Sequence, residues 1–439
     1  MAKTPLLDAL RAFVPRDALP MHMPGHKLRP LPVAELSGYA GLDVTELGPT
    51  GDLFSGGGAI GEAEALWAEA FHMAHCLFLT GGSTQGVLSA LTLACAPGAQ
   101  ILLDRGSHRS AYNALALLDL DPVYLDRPWL EGPGVAGPIS PAAVARALGA
   151  HPNIKTVCIT SPTYYGVLSD LPAIAQAVHA RGGTLVVDAA HGAHLPFLGN
   201  YDLSAADLVV ASAHKTLPAP GQSALLFAGA AFSGREIRRA ASLYGSSSPS
   251  YPMLAALDGV RAWLEEEGAA AYRRTAQLTA GLRARTPGLT EEHAPLDPCR
   301  YVFCCADGFA AQHALEGQGV YVELADAGHV VCILTCADGP AEFARLEEAL
   351  RPLAGAGRAA PCAPPPPPQR ALSPRAACFS PWETLPLARA EGRIAACQVA
   401  PYPPGVPVVA PGEAVTKKTI AYLDQIGYNI MEDIEVVRA

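Results

Sequence analysis

Charge is scarce in this sequence. Only 16% of its 439 residues are Asp, Glu, Lys or Arg, the net charge is −10, and no run of Lys or Arg occurs. An acidic chain without a basic stretch offers no electrostatic footprint for a phosphate backbone, which argues against nucleic-acid binding. Long apolar runs are missing too. No continuous apolar stretch reaches the roughly 18 residues of a membrane span, and none is expected to enter a bilayer. The first residues, MAKTPLLDALRAFVP, lack the apolar core and small-residue cleavage site of a secretory leader. There is no Gly-Lys-Ser/Thr ending of a Walker loop, no His-Glu-x-x-His, and no Cys-x-x-Cys pair. The 11 cysteines are odd in number and sit mostly inside apolar runs, among them Cys95, Cys158, Cys304, Cys305 and Cys332. They read as reduced thiols packed as small hydrophobes, so the expected location is the cytoplasm.

What is present is apolar and ordered. Half the residues are hydrophobic, ample for large buried cores, and the length fits two or three domains. Residues 1–60 are rich in Pro, Gly and His and poor in periodicity, and read as an extended arm. From about residue 62, short apolar runs alternate with helical spacing. The strand candidates are CLFLT (76–80), QILLD (100–104), PVYLD (122–126), TVCIT (156–160), TLVVD (184–188), DLVVA (207–211) and ALLFA (224–228). Most are apolar on both faces, as in a helix-covered, mainly parallel sheet. A long helix is expected over 253–285, then a smaller α/β unit with RYVFCC (300–305), GVYVEL (319–324), HVVCILT (329–335) and a helix near 340–353. The five consecutive prolines within 360–374 make a stiff linker. The resulting division is an arm (1–60), a large domain (61–255), a small α/β domain (256–358), a linker (359–374) and a C-terminal domain (375–439).

Four strand ends carry candidate chemistry. In SAHKT, Lys215 follows a buried-strand pattern, where open α/β sheets bind ligands. Such a lysine is either a solvated loop residue or a nucleophile toward a carbonyl cofactor. Asp188, at the end of TLVVD, either caps the next turn or pairs with a protonated ring nitrogen, as pyridoxal phosphate requires. TGGSTQG (80–86) runs from strand to helix through small and hydroxyl residues, the makings of an anion site or of an ordinary helix start. His108, in DRGSH, is either a plain loop histidine or one that lies flat on an aromatic cofactor. The order along the chain, anion-type turn, stacking candidate, acid, lysine, suits a pyridoxal-phosphate enzyme of the aspartate-aminotransferase-like fold.

Together with MHMPGHK (21–27), DVTELGPTGDLFSGGGAIGEAEAL (43–66), LLDRGSHRSAYNAL (102–115), TSPTYYGVLSDL (160–171), VDAAHGAH (187–194), SSSPSYPMLAALD (246–258) and PYPPGVPVVAPGE (401–413), these stretches make the chain resemble the bacterial ornithine/lysine/arginine decarboxylases in their short form. The resemblance covers nearly the whole length. It implies an α/β fold with a three-layer α/β/α pyridoxal-phosphate-dependent transferase-like large domain, a mainly parallel sheet, and smaller C-terminal α/β domains. It implies that Lys215 bonds the cofactor aldehyde, that Asp188 pairs with the pyridine nitrogen and that His108 stacks on the ring. Ser83, Thr84 and Ser212 would hold the phosphate, His214 would sit beside the lysine, and His191 would take a ring-side position. The implied reaction is decarboxylation of lysine, arginine or ornithine to the amine, by a homodimer in which SSSPSYP and the Asp52 loop reach a neighbouring site. A carboxylate must meet the substrate's side-chain cation, and Asp52 and Glu413 are the candidates. The sequence departs from the family pattern at Pro218, Pro220 and Gly221 after the lysine, and in FSGGGAI, where a proline is usual.

Three other readings stay open at this stage. An aminotransferase or lyase would use the same electron sink. A catalytically silent relative would bind the cofactor and regulate. A zinc hydrolase would draw on His22, His26, His72, His75, His191 and His194, although the helix-borne metal motif is missing and no metal is expected.

Overall fold

The computed structural model of the chain describes residues 2–13, 19–199, 201–357, 363–401 and 406–438. Residues 14–18 of the arm, 358–362 at the head of the proline linker and 402–405 of the PYPPG motif lie outside the described residues. The chain divides into two compact units, each built from two pieces: Met1–Leu93 with Ala189–Arg273, and Ala94–Asp188 with Arg274–Ala439. The α/β class expected from the alternating patterns is the one the chain adopts, with a mainly parallel sheet and smaller domains toward the C terminus. No described helix is long and apolar enough to cross a membrane.

In the first unit, the strand Ala224–Ala228 lies between His75–Leu79 and Leu208–Ala211 and is antiparallel to both. Their residues are almost all buried, as the two-faced apolar pattern demands. The helix Gly82–Ala94 packs directly on these strands. A Cβ on Gly86 would fall 2.6 Å from Val210 and 2.8 Å from Leu79, so only glycine lets the helix approach so closely. The expectation of an arm without core contacts is corrected at its start. Pro5–Phe13 is a helix that lies on the helices Gly58–Ala70 and Tyr251–Trp263. Leu6 and Leu10, one turn apart, are fully buried, and the Leu6 and Leu7 amides donate to the Asp258 carboxylate at 2.9 and 3.1 Å. A carboxylate at a helix N-terminus satisfies amides that have no partner inside the helix.

In the second unit, four parallel strands stand in the order Thr184–Asp188, Thr156–Thr160, Gln100–Asp104 and Asp121–Leu125 among the described residues. Their carboxyl ends therefore carry Asp188 and Asp104 on either side of Thr160. Two small sheets follow. Arg300–Cys304, His329–Ile333 and Leu324–Ala325 form one, with its own core around Tyr301, Phe303, Val330 and Leu350. Trp382–Pro386 and Asp433–Val437 pair antiparallel over a separate core that includes Leu387, Val399, Val409 and Val436.

Two elements differ from expectation for identifiable reasons. The GVYVEL strand reduces to Leu324–Ala325. Its first two amides, Gly319 and Val320, are spent on the Glu316 and Leu315 carbonyls in closing the preceding helix, and Tyr321 stands 82% exposed. The single helix expected over 253–285 is helical throughout but broken by a π turn, Leu264–Gly268, between Tyr251–Trp263 and Ala269–Arg285. The ten described cysteines form no disulfide, and seven are buried.

A buried histidine joins the small sheet to the 130–136 hairpin. His329 Nδ1 lies 2.9 Å from Asp326 Oδ1, and its Nε2 lies 2.8 Å from the Pro133 carbonyl oxygen. Both partners only accept, so the ring carries both protons and is cationic. Burial works against that charge, but the Asp326 carboxylate outweighs it and lifts the ring to about 10. A raised folded-state value means the stabilisation is fully present below the unfolded value of about 6.5 and is lost as pH climbs toward 10. Urea unfolding of the wild type is therefore expected to weaken between pH 7 and pH 10, through loss of this proton, more steeply than that of His329→Gln. Parallel pH profiles of the two proteins would contradict the assignment.

Candidate active site

Lys215 sits in a single helical turn, Ala213–Thr216, that follows the buried strand Leu208–Ala211. Bonds from separate segments fix this turn. The His214 amide and Nδ1 both point at the Ser223 carbonyl, at 3.3 and 2.8 Å, and the Tyr272 hydroxyl donates to the Thr216 carbonyl at 2.5 Å. A carbonyl only accepts, so Nδ1 of His214 carries a proton, which leaves Nε2 as the ring nitrogen not engaged by Ser223. The Lys215 Nζ lies 3.1 Å from Nε2 of His191, a side chain 4% exposed. The lysine and the ring-side histidine named from the sequence are thus in direct contact.

The departures after the lysine have a structural account. Leu217–Ser223 closes in tight turns, with the Ala219 amide on the Leu217 carbonyl at 2.7 Å and the Ser223 amide on that of Pro220 at 3.2 Å. Proline presets the backbone for such turns. The path delivers Ser223 to His214 and puts Gln222 in the left-handed region at φ 74°, with its Nε2 2.6 Å from the Thr80 carbonyl. Thr80 opens the TGGSTQG turn. The Gln222 carbonyl would lie 3.5 Å from a Cβ on Gly82, whose φ is +66°. The lysine loop and the turn carrying Ser83 and Thr84 are therefore neighbours, stitched by Gln222.

Ser83 and Thr84 occupy the first turn of the helix Gly82–Ala94, where backbone amides have no intrahelical partner. Gln85 braces the turn: its Oε1 accepts from the Gly81 amide at 2.7 Å and its Nε2 donates to the Ala241 carbonyl at 3.0 Å. Ser212 is fully buried at the head of the lysine turn, and its hydroxyl has no partner among the described residues. A buried hydroxyl without a partner is unfavourable unless a ligand meets it. Neither Gln85 nor Gln222 was singled out in the sequence, where no spacing marks a glutamine as a brace.

The Asp52 loop is also in the first unit. Asp52 is exposed, and its carboxylate accepts from the Phe54 and Ser55 amides at 2.8 and 3.1 Å and from the Ser55 hydroxyl at 2.8 Å. The Ser55 hydroxyl bond, above all, holds its carboxyl below the ordinary range. In the FSGGG departure Gly56, Gly57 and Gly58 all have positive φ. A Cβ on Gly56 would meet Arg238 Nε at 2.6 Å, because that guanidinium reaches the Leu53 carbonyl and Glu64. The Tyr251 hydroxyl donates to the Gly51 carbonyl at 2.6 Å and so ties SSSPSYP to this loop.

Asp188, His108 and Glu413 belong to the second unit. Asp188 ends its strand 5% exposed, and its carbonyl accepts from the Ser161 amide at 3.1 Å. Burial first, and then the Asp188 and Asp104 charges, push the thiol of Cys158 on the next strand well up. His108 is the N-cap of the helix Arg109–Leu117, its Nδ1 2.9 Å from the Ser110 hydroxyl. Asp104, fully buried, pairs with Arg127 at 2.6 Å and accepts from the Gly106 amide at 2.8 Å, which fixes the root of the His108 loop. Glu413 is 2% exposed and bonded to Arg105 at 2.9 Å.

Comparison with known proteins covers most of the chain. The family described as Orn/Lys/Arg decarboxylase, major domain, matches residues 4–303, and the Orn/Lys/Arg decarboxylase C-terminal domain matches residues 367–430. The chain is 30% identical to the arginine decarboxylase of Bacillus anthracis over 455 residues, covering 96% of this chain and 92% of that protein. Among solved structures, lysine decarboxylase A from Pseudomonas aeruginosa superposes with a TM-score of 0.83 at 19% identity, over 99% of this chain and 80% of that one. The constitutive lysine decarboxylase of Escherichia coli gives 0.82 at 18% identity, over 99% and 82%.

Proposed function

The chain belongs to the Orn/Lys/Arg decarboxylase family, and from that premise we propose that it removes the α-carboxylate of a basic amino acid as carbon dioxide, with pyridoxal phosphate as cofactor. The observation that carries the reading is the Lys215–His191 contact at 3.1 Å, in a loop that Gln222 ties to the Gly82 turn. The donor set fits the cofactor. The unpartnered Ser212 hydroxyl, with Ser83 and Thr84 in the first turn of a helix, suits a phosphate.

Pyridoxal phosphate, when bound, supplies a sink for the electron pair left as carbon dioxide departs. The chain's residues supply placement and charge. Lys215 would hold the cofactor covalently, and His191 orients the amine that does so. Asp188 would keep the ring nitrogen protonated, and His108 would lie on the ring face. His214, with its proton on Nδ1 directed at Ser223, presents Nε2 as a proton-holding atom beside Lys215. The substrate's side-chain cation needs a carboxylate. Arg105 already neutralises Glu413, so on our reading Asp52 is the carboxylate for that cation. We assign the active form to a homodimer with shared sites, and we keep the division into arm, large domain, small domain, linker and C-terminal domain as the working organisation of the chain.

The test is an assay of arginine, lysine and ornithine side by side, reading carbon dioxide release and amine product. One of the three is expected to be consumed with one amine formed per carbon dioxide. A requirement for a 2-oxo acid would replace decarboxylation with transamination. Cofactor binding without turnover on any of the three would leave a silent binding protein.

A further inference from the structure

We propose that Glu413, acting through Arg105, is a positioning residue for His108, so that the C-terminal domain sets the loop and helix from which the ring-stacking histidine projects. The proposal rests on the reading of His108 given above and deepens it.

Arg105 is three residues before His108, and its side chain turns away from the strand toward the C-terminal domain. Its Nη2 donates to Glu413 Oε2 and to the Val408 carbonyl, both at 2.9 Å. Its Nη1 donates to the Tyr112 hydroxyl at 3.1 Å, and that hydroxyl donates back to the Arg105 carbonyl at 2.8 Å. The guanidinium carbon lies 4.9 Å from the centre of the Tyr124 ring. Tyr112 belongs to the helix that His108 caps, so Arg105 fastens the loop and the helix to one another and both to Glu413.

Glu413 is held as firmly. The Ala410 amide donates to its Oε2 at 2.8 Å. Gly412, at φ +88°, lets the chain lie against the preceding segment, since a Cβ there would fall 2.4 Å from the Leu372 carbonyl. The same domain holds both ends of the His108-capped helix. Gln398 Nε2 donates to the Arg109 carbonyl at 3.2 Å and to Asn113 Oδ1 at 2.6 Å, and Arg375 Nη1 donates to the Ala116 and Leu117 carbonyls, each at 3.2 Å. An arginine near the last carbonyls of a helix satisfies groups that have no intrahelical partner. The helix is thus gripped at its start, at its end and through the loop before it, and Arg105–Glu413 is the buried ion pair in that grip.

The test is Glu413→Gln, which keeps the shape and removes the charge, with Gln398→Ala as a milder second variant should the first fold poorly. Hydrogen exchange is read at residues 106–110 in the cofactor-free protein, alongside circular dichroism of added pyridoxal phosphate and steady-state kinetics. Glu413→Gln is expected to raise exchange at 106–110, to diminish the cofactor's induced dichroism, and to lower kcat by about tenfold to a hundredfold with KM changed little, as a displaced catalytic group does. Arg393→Gln breaks the Arg393–Glu383 pair elsewhere in the same domain. It controls for stability and should leave exchange at 106–110 as in the wild type. Unchanged exchange and dichroism in both Glu413→Gln and Gln398→Ala would overturn the proposal, even if melting temperatures fell. The exchange measurement decides the grip with no cofactor present. A failure of the cofactor reading would show separately, as no dichroism in the wild type.

Discussion

Lys215→Ala, mixed with pyridoxal phosphate, is expected to form no amine from arginine, lysine or ornithine and to show no visible-edge absorbance of covalently held cofactor. The loss should be about four orders of magnitude or more, the scale on which enzymes respond to loss of a covalent nucleophile. The Lys215 amine is placed by a one-turn helix whose carbonyls and amides are bound to Ser223 and Tyr272, and it meets His191 at 3.1 Å. An exogenous amine diffusing to the site lacks that placement, which is worth several orders of magnitude in effective concentration. Lys215→Arg is the companion variant. It keeps the charge and the hydrogen-bonding reach but cannot bond an aldehyde reversibly at neutral pH, because its guanidinium stays protonated. Both variants should keep wild-type far-ultraviolet dichroism, since the lysine side chain is only partly buried. Carbon dioxide release and the absorbance band are the two readouts. Persistence of both in Lys215→Ala would remove the lysine from the chemistry.

Asp188→Ala is expected to cut turnover by on the order of 10²–10³-fold, the effect of deleting one preorganised electrostatic partner, while cofactor retention falls far less. The argument is one of charge. A ring nitrogen that stays protonated withdraws electrons better than one that does not, and on the proposed reading the buried Asp188 carboxylate would keep the proton there. Asp188 is 5% exposed at a strand end, so its charge is poorly screened. On the proposed reading, retention would depend mainly on Lys215 and on the hydroxyl and amide donors of Ser83, Thr84 and Ser212, which the substitution leaves in place. Asp188→Asn sharpens the test, because it keeps the volume and one acceptor oxygen. Turnover by each variant, set against the rate of cofactor release on dilution, separates the roles. Equal and modest losses of both would make Asp188 a structural residue.

The sequence discloses those parts of the fold and site that local pattern controls. Uniformly apolar runs such as TLVVD and ALLFA mark strands buried on both faces, and they form strands at 184–188 and 224–228. Lys215 and Asp188 stand out for the same reason, since an ionisable group that ends such a run needs a purpose. What stayed hidden depends on distant partners. Gln222 is a brace only because two prolines turn the chain back toward Thr80. Arg105 and Glu413 are 308 residues apart, and no periodicity links them. The helix Pro5–Phe13 carries too short an apolar stripe to be recognised without Asp258 waiting at its N-terminus. GVYVEL alternates like a strand, but whether an alternating segment pairs depends on where its amides are already committed.

Each compact unit is assembled from two separated pieces of chain, and this has a consequence for biosynthesis. The strand His75–Leu79 leaves the ribosome long before its partner Ala224–Ala228 exists, and the first unit is incomplete until Arg273 has emerged. During that interval a largely apolar strand edge is uncovered in the nascent polypeptide, the condition that invites aggregation and recruits chaperones. Fragments cut at the 188/189 junction would leave both units unfinished, so expression of separate halves is a poor route to either one.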